Sequence, residues 1–145
     1  MCGILGEFSI KARPIEEEEF KKLLNLSAAR GPDNQGYYSN RKNLQLGFNR
    51  LSILDLSELG NQPIHSLDKQ MSMVFNGEIY NYLEIKSLLS KLGVNIQSTG
   101  DSEVLVNSFR YIGINETLQK IDGMFSIGLF DHKLKSLYLI RDFSG

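Results

Sequence analysis

The chain has 145 residues, of which 41% are hydrophobic and 23% are charged. This length and composition predict one globular domain with an apolar core and exclude an intrinsically disordered chain. The net charge of -1 gives no electrostatic reason to expect a nucleic acid or an anionic membrane as partner. The sequence shows no signal peptide and no run of about 20 apolar residues, so we expect a cytoplasmic protein.

The first half of the chain predicts strands, one helix and two loops. The elements, in chain order, are a strand over 2–10, a helix beginning near Pro14, a turn or loop over 30–36, short strands over 37–39, 44–48 and 51–54, a loop over 55–70 and a strand over 71–75. The acidic run of residues 16–19 suits the first turn of the helix. The pair Asn76-Gly77 is a strong turn signal and is expected to end the last of these strands.

The second half predicts two helices and a hairpin. One helix carries an apolar stripe over residues 85–92 and ends at Gly93. Asp101 or Ser102 is expected to cap the next helix, which ends at Gly113. Residues 124–130 and 137–140 alternate like two strands around a turn at 131–136, and small residues in the first suggest that both of its faces are covered. The pattern as a whole indicates a mixed protein with several antiparallel strands and about three helices.

The only cysteine of the chain is Cys2. A single cysteine excludes an internal disulfide, and a free thiol favours a reducing compartment. If Met1 is removed, Cys2 carries a free α-amine, whose unperturbed pKa of about 7.7–8.0 lets it act as base for the thiol. By position alone, a cysteine here more often has no catalytic role. Neither His65 nor His132 has a neighbour in the sequence that would form a catalytic pair with it.

Six segments carry a family resemblance and come in the family's order. They are Met1-Cys2-Gly3-Ile4, Arg30-Gly31-Pro32-Asp33, Arg50-Leu51-Ser52-Ile53, Asn76-Gly77-Glu78-Ile79-Tyr80-Asn81, Gly100-Asp101-Ser102-Glu103 and Asp122-Gly123-Met124-Phe125. The chain thereby resembles the class II glutamine amidotransferases of the N-terminal-nucleophile (Ntn) hydrolase superfamily, within them the glutaminase domain of the asparagine synthetase branch. The resemblance implies an α+β fold, a four-layer αββα sandwich with two antiparallel sheets.

The resemblance assigns the catalytic roles to Cys2, Asn76 and Gly77. Cys2 would attack the side-chain amide of glutamine and form a thioester, which water then opens. The side-chain NH2 of Asn76 and the backbone N–H of Gly77 would stabilise the charge that develops on the amide oxygen. Taken alone, Asn76-Gly77 favours a plain hairpin turn.

The substrate-binding residues implied by the resemblance are Arg50, Leu51, Ser52, Ile53, Glu78 and Asp101. Arg50 would bind the α-carboxylate with its planar fork. Glu78 and Asp101 would accept hydrogen bonds from the α-ammonium group. By residue type alone, Arg50 is more often a solvated surface charge and Asp101 a helix N-cap. Arg30 and Asp33 are expected to build a structural loop around the site.

The resemblance also concerns what the chain lacks. Residues 1–145 would form the glutaminase domain, with its C-terminal part and the synthetase domain absent. No metal or cofactor is expected in this chain, since ATP and Mg would belong to the synthetase domain. Glutamine is the expected substrate, and a synthetase domain or subunit would receive the ammonia. A non-catalytic glutamine-binding or regulatory fragment and a general thiol hydrolase are the alternatives.

Overall fold

The computed structural model describes residues 2–11, 13–52 and 57–144. These residues form seven strands and four α-helices. In chain order they are β1 (Gly3–Phe8), α1 (Glu17–Asn25), β2 (Asn34–Ser39), β3 (Leu44–Arg50), β4 (Ile64–His65), β5 (Met71–Ile79), α2 (Tyr82–Lys91), α3 (Asp101–Tyr111), α4 (Ile114–Lys120), β6 (Gly123–Asp131) and β7 (Ser136–Arg141). None of the described helices is long and apolar enough to cross a membrane.

The strands form two antiparallel sheets that pack face to face. The first sheet has the order β1-β3-β2 and the second the order β4-β5-β6-β7. Because side chains alternate along a strand, each sheet sends every second residue into the space between them. Leu46 and Phe48 of the first sheet pack there against Val74 and Phe130 of the second. This layer is the core that joins the two sheets.

Helices cover the outer faces of both sheets. On the first sheet, Phe20 and Leu24 of α1 are buried over Gly47. A Cβ on Gly47 would lie only 2.8 Å from Leu24, so the glycine lets the helix approach the strand closely. On the second sheet, Leu105 and Phe109 of α3 pack against the opposite faces of β5 and β6. The helix–sheet–sheet–helix order agrees with the four layers that the family resemblance implies.

The prediction that the strand over 71–75 ends in a turn at Asn76-Gly77 is wrong. β5 continues to Ile79, and the ladder with β6 pairs Asn76 with Ser126 and Gly77 with Phe125. The partner strand comes more than 40 residues later, so local sequence does not reveal it. A Cβ on Gly77 would lie 2.1 Å from the carbonyl oxygen of Met124, so the glycine allows close strand approach.

Several other boundaries also differ from the sequence predictions. Strand β2 begins at Asn34, inside the expected loop, because residues 34–39 pair with β3. The segment predicted as a strand over 51–54 is irregular at Leu51 and Ser52, and the rest lies outside the described residues. The loop over 55–70 contains a 3-10 turn (Glu58–Gly60) and β4, and α4 was not predicted.

The helices and the hairpin of the second half largely follow the predictions. α2 and α3 are followed by Gly93 and Gly113, which have positive φ as expected of helix-ending glycines. β6 and β7 form the predicted hairpin. Asp101, however, is the first residue of α3 and not its cap. The cap position belongs to Gly100, and no side chain makes a capping hydrogen bond there.

Candidate active site

Cys2 lies at the start of β1, beside the end of β3. The antiparallel register pairs Gly3 with Asn49, which brings the preceding residue to Leu51. The main-chain N–H of Leu51 donates a hydrogen bond to the sulfur at 3.3 Å. The guanidinium of Arg30 donates to the carbonyl oxygen of Cys2 at 3.2 Å. Leu51 thus contacts the half-buried thiol, while Arg30 holds the main chain of the same residue.

Arg50 is the last residue of β3 and is buried, with only 7% of its surface exposed. Its Nη1 donates hydrogen bonds to the carbonyl oxygen of Ser57 and to Oδ1 of Asn61, both at 2.7 Å. A solvated surface charge is therefore excluded for this residue. The two acceptors orient the guanidinium, which lines the same cleft as Cys2.

Asn76, Gly77 and Glu78 occupy the second half of β5. Alternation places Asn76 and Glu78 on the face that carries Val74, the face that looks toward the first sheet. Cys2 packs at the margin of that same inter-sheet cluster. The continuous strand thus places Asn76 in the same cleft as the thiol, within a regular ladder and not in a turn.

Asp101 is buried, with 6% of its surface exposed, at the start of α3. Its Oδ2 accepts a hydrogen bond from the main-chain N–H of Ile79 at 2.9 Å. Burial raises the pKa of Asp101, the Ile79 N–H opposes that shift, and the negative charge of Glu78 adds to it. Two carboxylates therefore lie close together at one end of the cleft, where a cation would relieve their repulsion.

One cleft brings most of the predicted site residues together. Of the nine predicted residues, seven line it: Cys2, Arg50, Leu51, Asn76, Gly77, Glu78 and Asp101. Ser52 is not among the lining residues, and its N–H donates to the carboxylate of Asp33 at 2.7 Å. That bond gives Asp33 the structural role expected of it. Ile53 lies outside the described residues.

Sequence analysis missed Gln62, which also lines the cleft. It sits in a segment predicted only as an irregular loop, and a lone glutamine carries no local signal. Its side-chain amide bonds both main-chain groups of Phe75, accepting from the N–H at 2.6 Å and donating to the oxygen at 3.0 Å. Gln62 thereby supports β5 directly before Asn76.

The two histidines lie away from the cleft, and among the described residues its lining contains no histidine. They meet across Ser72, whose hydroxyl lies 2.8 Å from Nδ1 of His65 and 2.6 Å from Nε2 of His132. Burial is the main cause that lowers the pKa of each imidazole. Over the described ranges, no group of three or more His, Cys, Asp or Glu is arranged to hold a metal ion.

The chain matches the family described as "Glutamine amidotransferase domain" over residues 1–145. It therefore belongs to the glutamine amidotransferase family. Among curated proteins it is 37% identical over 145 residues to each of two Bacillus subtilis proteins, "Asparagine synthetase [glutamine-hydrolyzing]" 1 and 2. Each alignment covers 98% of this chain but only 22% and 19% of the respective relative. The chain thus spans about a fifth of their length.

A solved structure shares the fold. It is the glutamine phosphoribosylpyrophosphate amidotransferase from B. subtilis complexed with ADP and GMP, with a TM-score of 0.50 and 18% sequence identity. The match covers 63% of this chain and 22% of that chain. The α+β sandwich of two antiparallel sheets between helices, expected from the resemblance to Ntn hydrolases, is thereby confirmed.

Proposed function

We propose that this chain hydrolyses glutamine to glutamate and ammonia, with the thiol of Cys2 as nucleophile. The observation that carries the proposal is the single cleft in which Cys2 meets Arg50, Asn76, Glu78 and Asp101. These residues lie on β3, β5 and α3 and directly before β1, so both sheets and a helix assemble the cleft. Membership of the glutamine amidotransferase family supports the substrate.

The nucleophile and its base belong to the same residue in this proposal. Removal of Met1 exposes the α-amine of Cys2, which takes the thiol proton directly or through one water molecule. The two histidines, bonded to Ser72 elsewhere in the fold, then have no part in the reaction. The main chain of Leu51 orients the sulfur, since its N–H donates to Sγ at 3.3 Å and its carbonyl oxygen accepts from the thiol at 3.7 Å.

The reaction proceeds in two steps. The thiolate attacks the amide carbon of glutamine, the C–N bond breaks, and the protonated α-amine gives its proton to the departing nitrogen, which leaves as ammonia. Water then adds to the thioester with the α-amine as base, and the C–S bond breaks to release glutamate. Asn76 NH2 and Gly77 N–H stabilise the oxyanion of both tetrahedral intermediates, where loss of one donor costs about 100- to 1000-fold in rate.

The charges at the two ends of the cleft match those of a free amino acid. The oriented guanidinium of Arg50 pairs with the α-carboxylate, and Leu51 lines the cleft beside it. Glu78 and the buried Asp101 accept hydrogen bonds from the α-ammonium group. Burial, with a smaller contribution from the charge of Glu78, raises the pKa of Asp101; an ammonium beside that carboxylate opposes both effects, so binding and ionisation favour each other.

The ammonia is proposed to pass to a synthetase domain or subunit that makes asparagine or a related amide. The two relatives in B. subtilis that support this acceptor are about five times as long as the matched region. ATP and Mg²⁺ would act in that synthetase. The present chain supplies the ammonia in this scheme.

A comparison of the purified chain with Cys2→Ala tests the proposal. Ammonia and glutamate release from glutamine is expected from the first and absent from the second, while calorimetry is expected to show that Cys2→Ala still binds glutamine. A retained rate in Cys2→Ala rejects the nucleophile. Binding without turnover in a chain free of Met1 supports a non-catalytic module instead, and equal turnover of an amide lacking the α-ammonium and α-carboxylate supports a general thiol hydrolase.

A further inference from the structure

Two adjacent amide residues, Asn61 and Gln62, connect the parts of the cleft that lie on different sheets. The pair follows a 3-10 turn (Glu58–Gly60) and precedes β4. Gln62 lines the cleft and is buried, with 5% of its surface exposed. Neither residue was assigned a role by the sequence or by the resemblance.

Asn61 holds the side chain proposed to bind the α-carboxylate. Its Oδ1 accepts a hydrogen bond from Nη1 of Arg50 at 2.7 Å, and the same nitrogen donates to the carbonyl oxygen of Ser57. Hydrogen bonds to a charged donor are among the stronger ones in proteins. Asn61 therefore helps to fix the orientation of the guanidinium in the cleft.

Gln62 holds the strand that carries the proposed oxyanion donors. β4 pairs with β5 only at Met73 and Ser72, so its ladder stops before Phe75. The amide of Gln62 continues it, because Oε1 accepts from the Phe75 N–H and Nε2 donates to the Phe75 oxygen. Asn76 is the next residue after Phe75. Gln62 therefore holds in place the backbone from which the Asn76 side chain projects.

Gln62 also reaches the third part of the cleft. Its Nε2 lies 3.4 Å from Oγ of Ser102, which in turn lies 3.4 Å from Oδ1 of Asp101. The main chain of Gln62 is fixed against the first sheet, since a Cβ on Gly36 would lie 1.7 Å from the Gln62 carbonyl oxygen. One residue thus contacts the first sheet by its main chain and the second sheet and α3 by its side chain.

We propose that Asn61 and Gln62 are positioning residues that fix Arg50 relative to Asn76, and so set the separation between the carboxylate-binding and oxyanion-binding ends of the cleft. The inference rests on the proposed function and deepens it. Because Asn61 acts through a group that binds the ground state and Gln62 through one that acts in the transition state, their loss has different kinetic effects.

Steady-state kinetics on two variants test this division. Asn61→Ala is expected to raise KM for glutamine by about tenfold with little change in kcat. Gln62→Met is expected to lower kcat by about tenfold or more with a smaller change in KM. The matched control is Gln45→Met, which removes another buried glutamine whose amide bonds Glu7 and the main-chain oxygen of Ile15. Gln45 is outside the cleft, so both constants are expected to stay unchanged.

A purely structural role predicts a different pattern. Equal kcat in Gln62→Met and Gln45→Met, or a fall in kcat without a rise in KM for Asn61→Ala, overturns the proposal. If Gln62→Met does not fold, Gln62→Glu serves instead, because it keeps an acceptor for the Phe75 N–H. Its kcat is also expected to fall relative to Gln45→Met.

A measurement without turnover separates this inference from the proposed function. In the Cys2→Ala background, the side-chain NH2 resonances of Asn76 are expected to shift on Gln62→Met and to stay in place on Gln45→Met. An unshifted Asn76 resonance in the Gln62 variant overturns the positioning role, whether or not the chain hydrolyses glutamine. Absence of ammonia release from the unmodified chain overturns the proposed function and leaves the resonance comparison to decide the positioning role.

Discussion

The carboxylate of Asp101 accepts a hydrogen bond from the main-chain N–H of Ile79 at 2.9 Å. This bond ties the first residue of α3 to the last residue of β5, and it places Asp101 near Glu78. Asp101, whose residue type suggested a helix cap, thus joins α3 to β5. The same geometry holds a buried negative charge at the end of the cleft proposed to bind an ammonium group.

Asp101→Asn tests that charge. The amide oxygen still accepts from the Ile79 N–H, so the fold is expected to persist, and relief of the buried charge is expected to keep stability near neutral pH equal or higher. Loss of the charge weakens ammonium binding by about 1.5–3 kcal/mol, which raises KM for glutamine by about 10- to 150-fold. Kinetics and urea unfolding measure both effects, and an unchanged KM would contradict the assignment.

Arg50→Lys tests the carboxylate end of the cleft. Lysine keeps the positive charge but lacks the planar fork and the second donor nitrogen that a bidentate contact needs. We expect KM for glutamine to rise by about tenfold with a smaller change in kcat. The control is Arg110→Lys, because Arg110 pairs with Asp68 and is not part of the cleft lining. Equal KM values in the two variants would remove Arg50 from substrate binding.

Gly77→Ala tests the close contact between β5 and β6. The new Cβ would lie 2.1 Å from the carbonyl oxygen of Met124, at a φ of 155° that side chains rarely adopt. Strand separation or backbone strain is expected to cost about 3 kcal/mol or more of unfolding free energy. In Gly93→Ala the Cβ meets nothing within 4 Å at a φ of 79°, so only the conformational cost of about 1–2 kcal/mol is expected. Similar losses in both variants would show that the contact with Met124 has no special weight.

The histidine pair predicts a pH dependence of stability. Burial lowers the pKa of His65, and the positive charges of His132 and Lys69 lower it further. Burial also lowers the pKa of His132, although the negative charge of Asp131 opposes this shift. As the pH falls below the ordinary value of 6.5, the unfolded chain takes up protons that the folded chain resists, so folding stability decreases. The contribution of the two neutral histidines to stability is therefore fully present above that value and is lost toward acid.

Urea unfolding at about pH 7.5 and about pH 5.5 measures this effect. His65→Gln keeps a hydrogen bond to Ser72 but has no titrating group, so its stability is expected to decrease less between the two values. An equal decrease in the variant and the unmodified chain would contradict the role of His65. Hydrolysis at neutral pH is expected to be the same in both, since neither histidine lines the cleft.

Features fixed by neighbouring residues could be predicted from the sequence, whereas those fixed by distant strands could not. Gly93 and Gly113 mark helix ends because the conformational need lies at the glycine itself. Asn76-Gly77 suggested a turn by its residue types. Its place in a continuous strand could not be recognised, because its partners on β6 come more than 40 residues later. The family resemblance placed Cys2, Arg50 and Asp101 at one site. The structural role of Gln62 could not be predicted, because it depends on the end of the β4–β5 ladder at Met73. Phe75 has no β4 partner there and bonds the Gln62 side chain instead.

The central claim is that the thiol and the α-amine of Cys2 together split the amide, and the mass of the acid-quenched protein during turnover tests it most directly. We predict a chain that lacks Met1 and carries one γ-glutamyl group on the peptide beginning at Cys2. An active preparation that retains Met1, or whose α-amine is acylated without loss of turnover, would contradict the account.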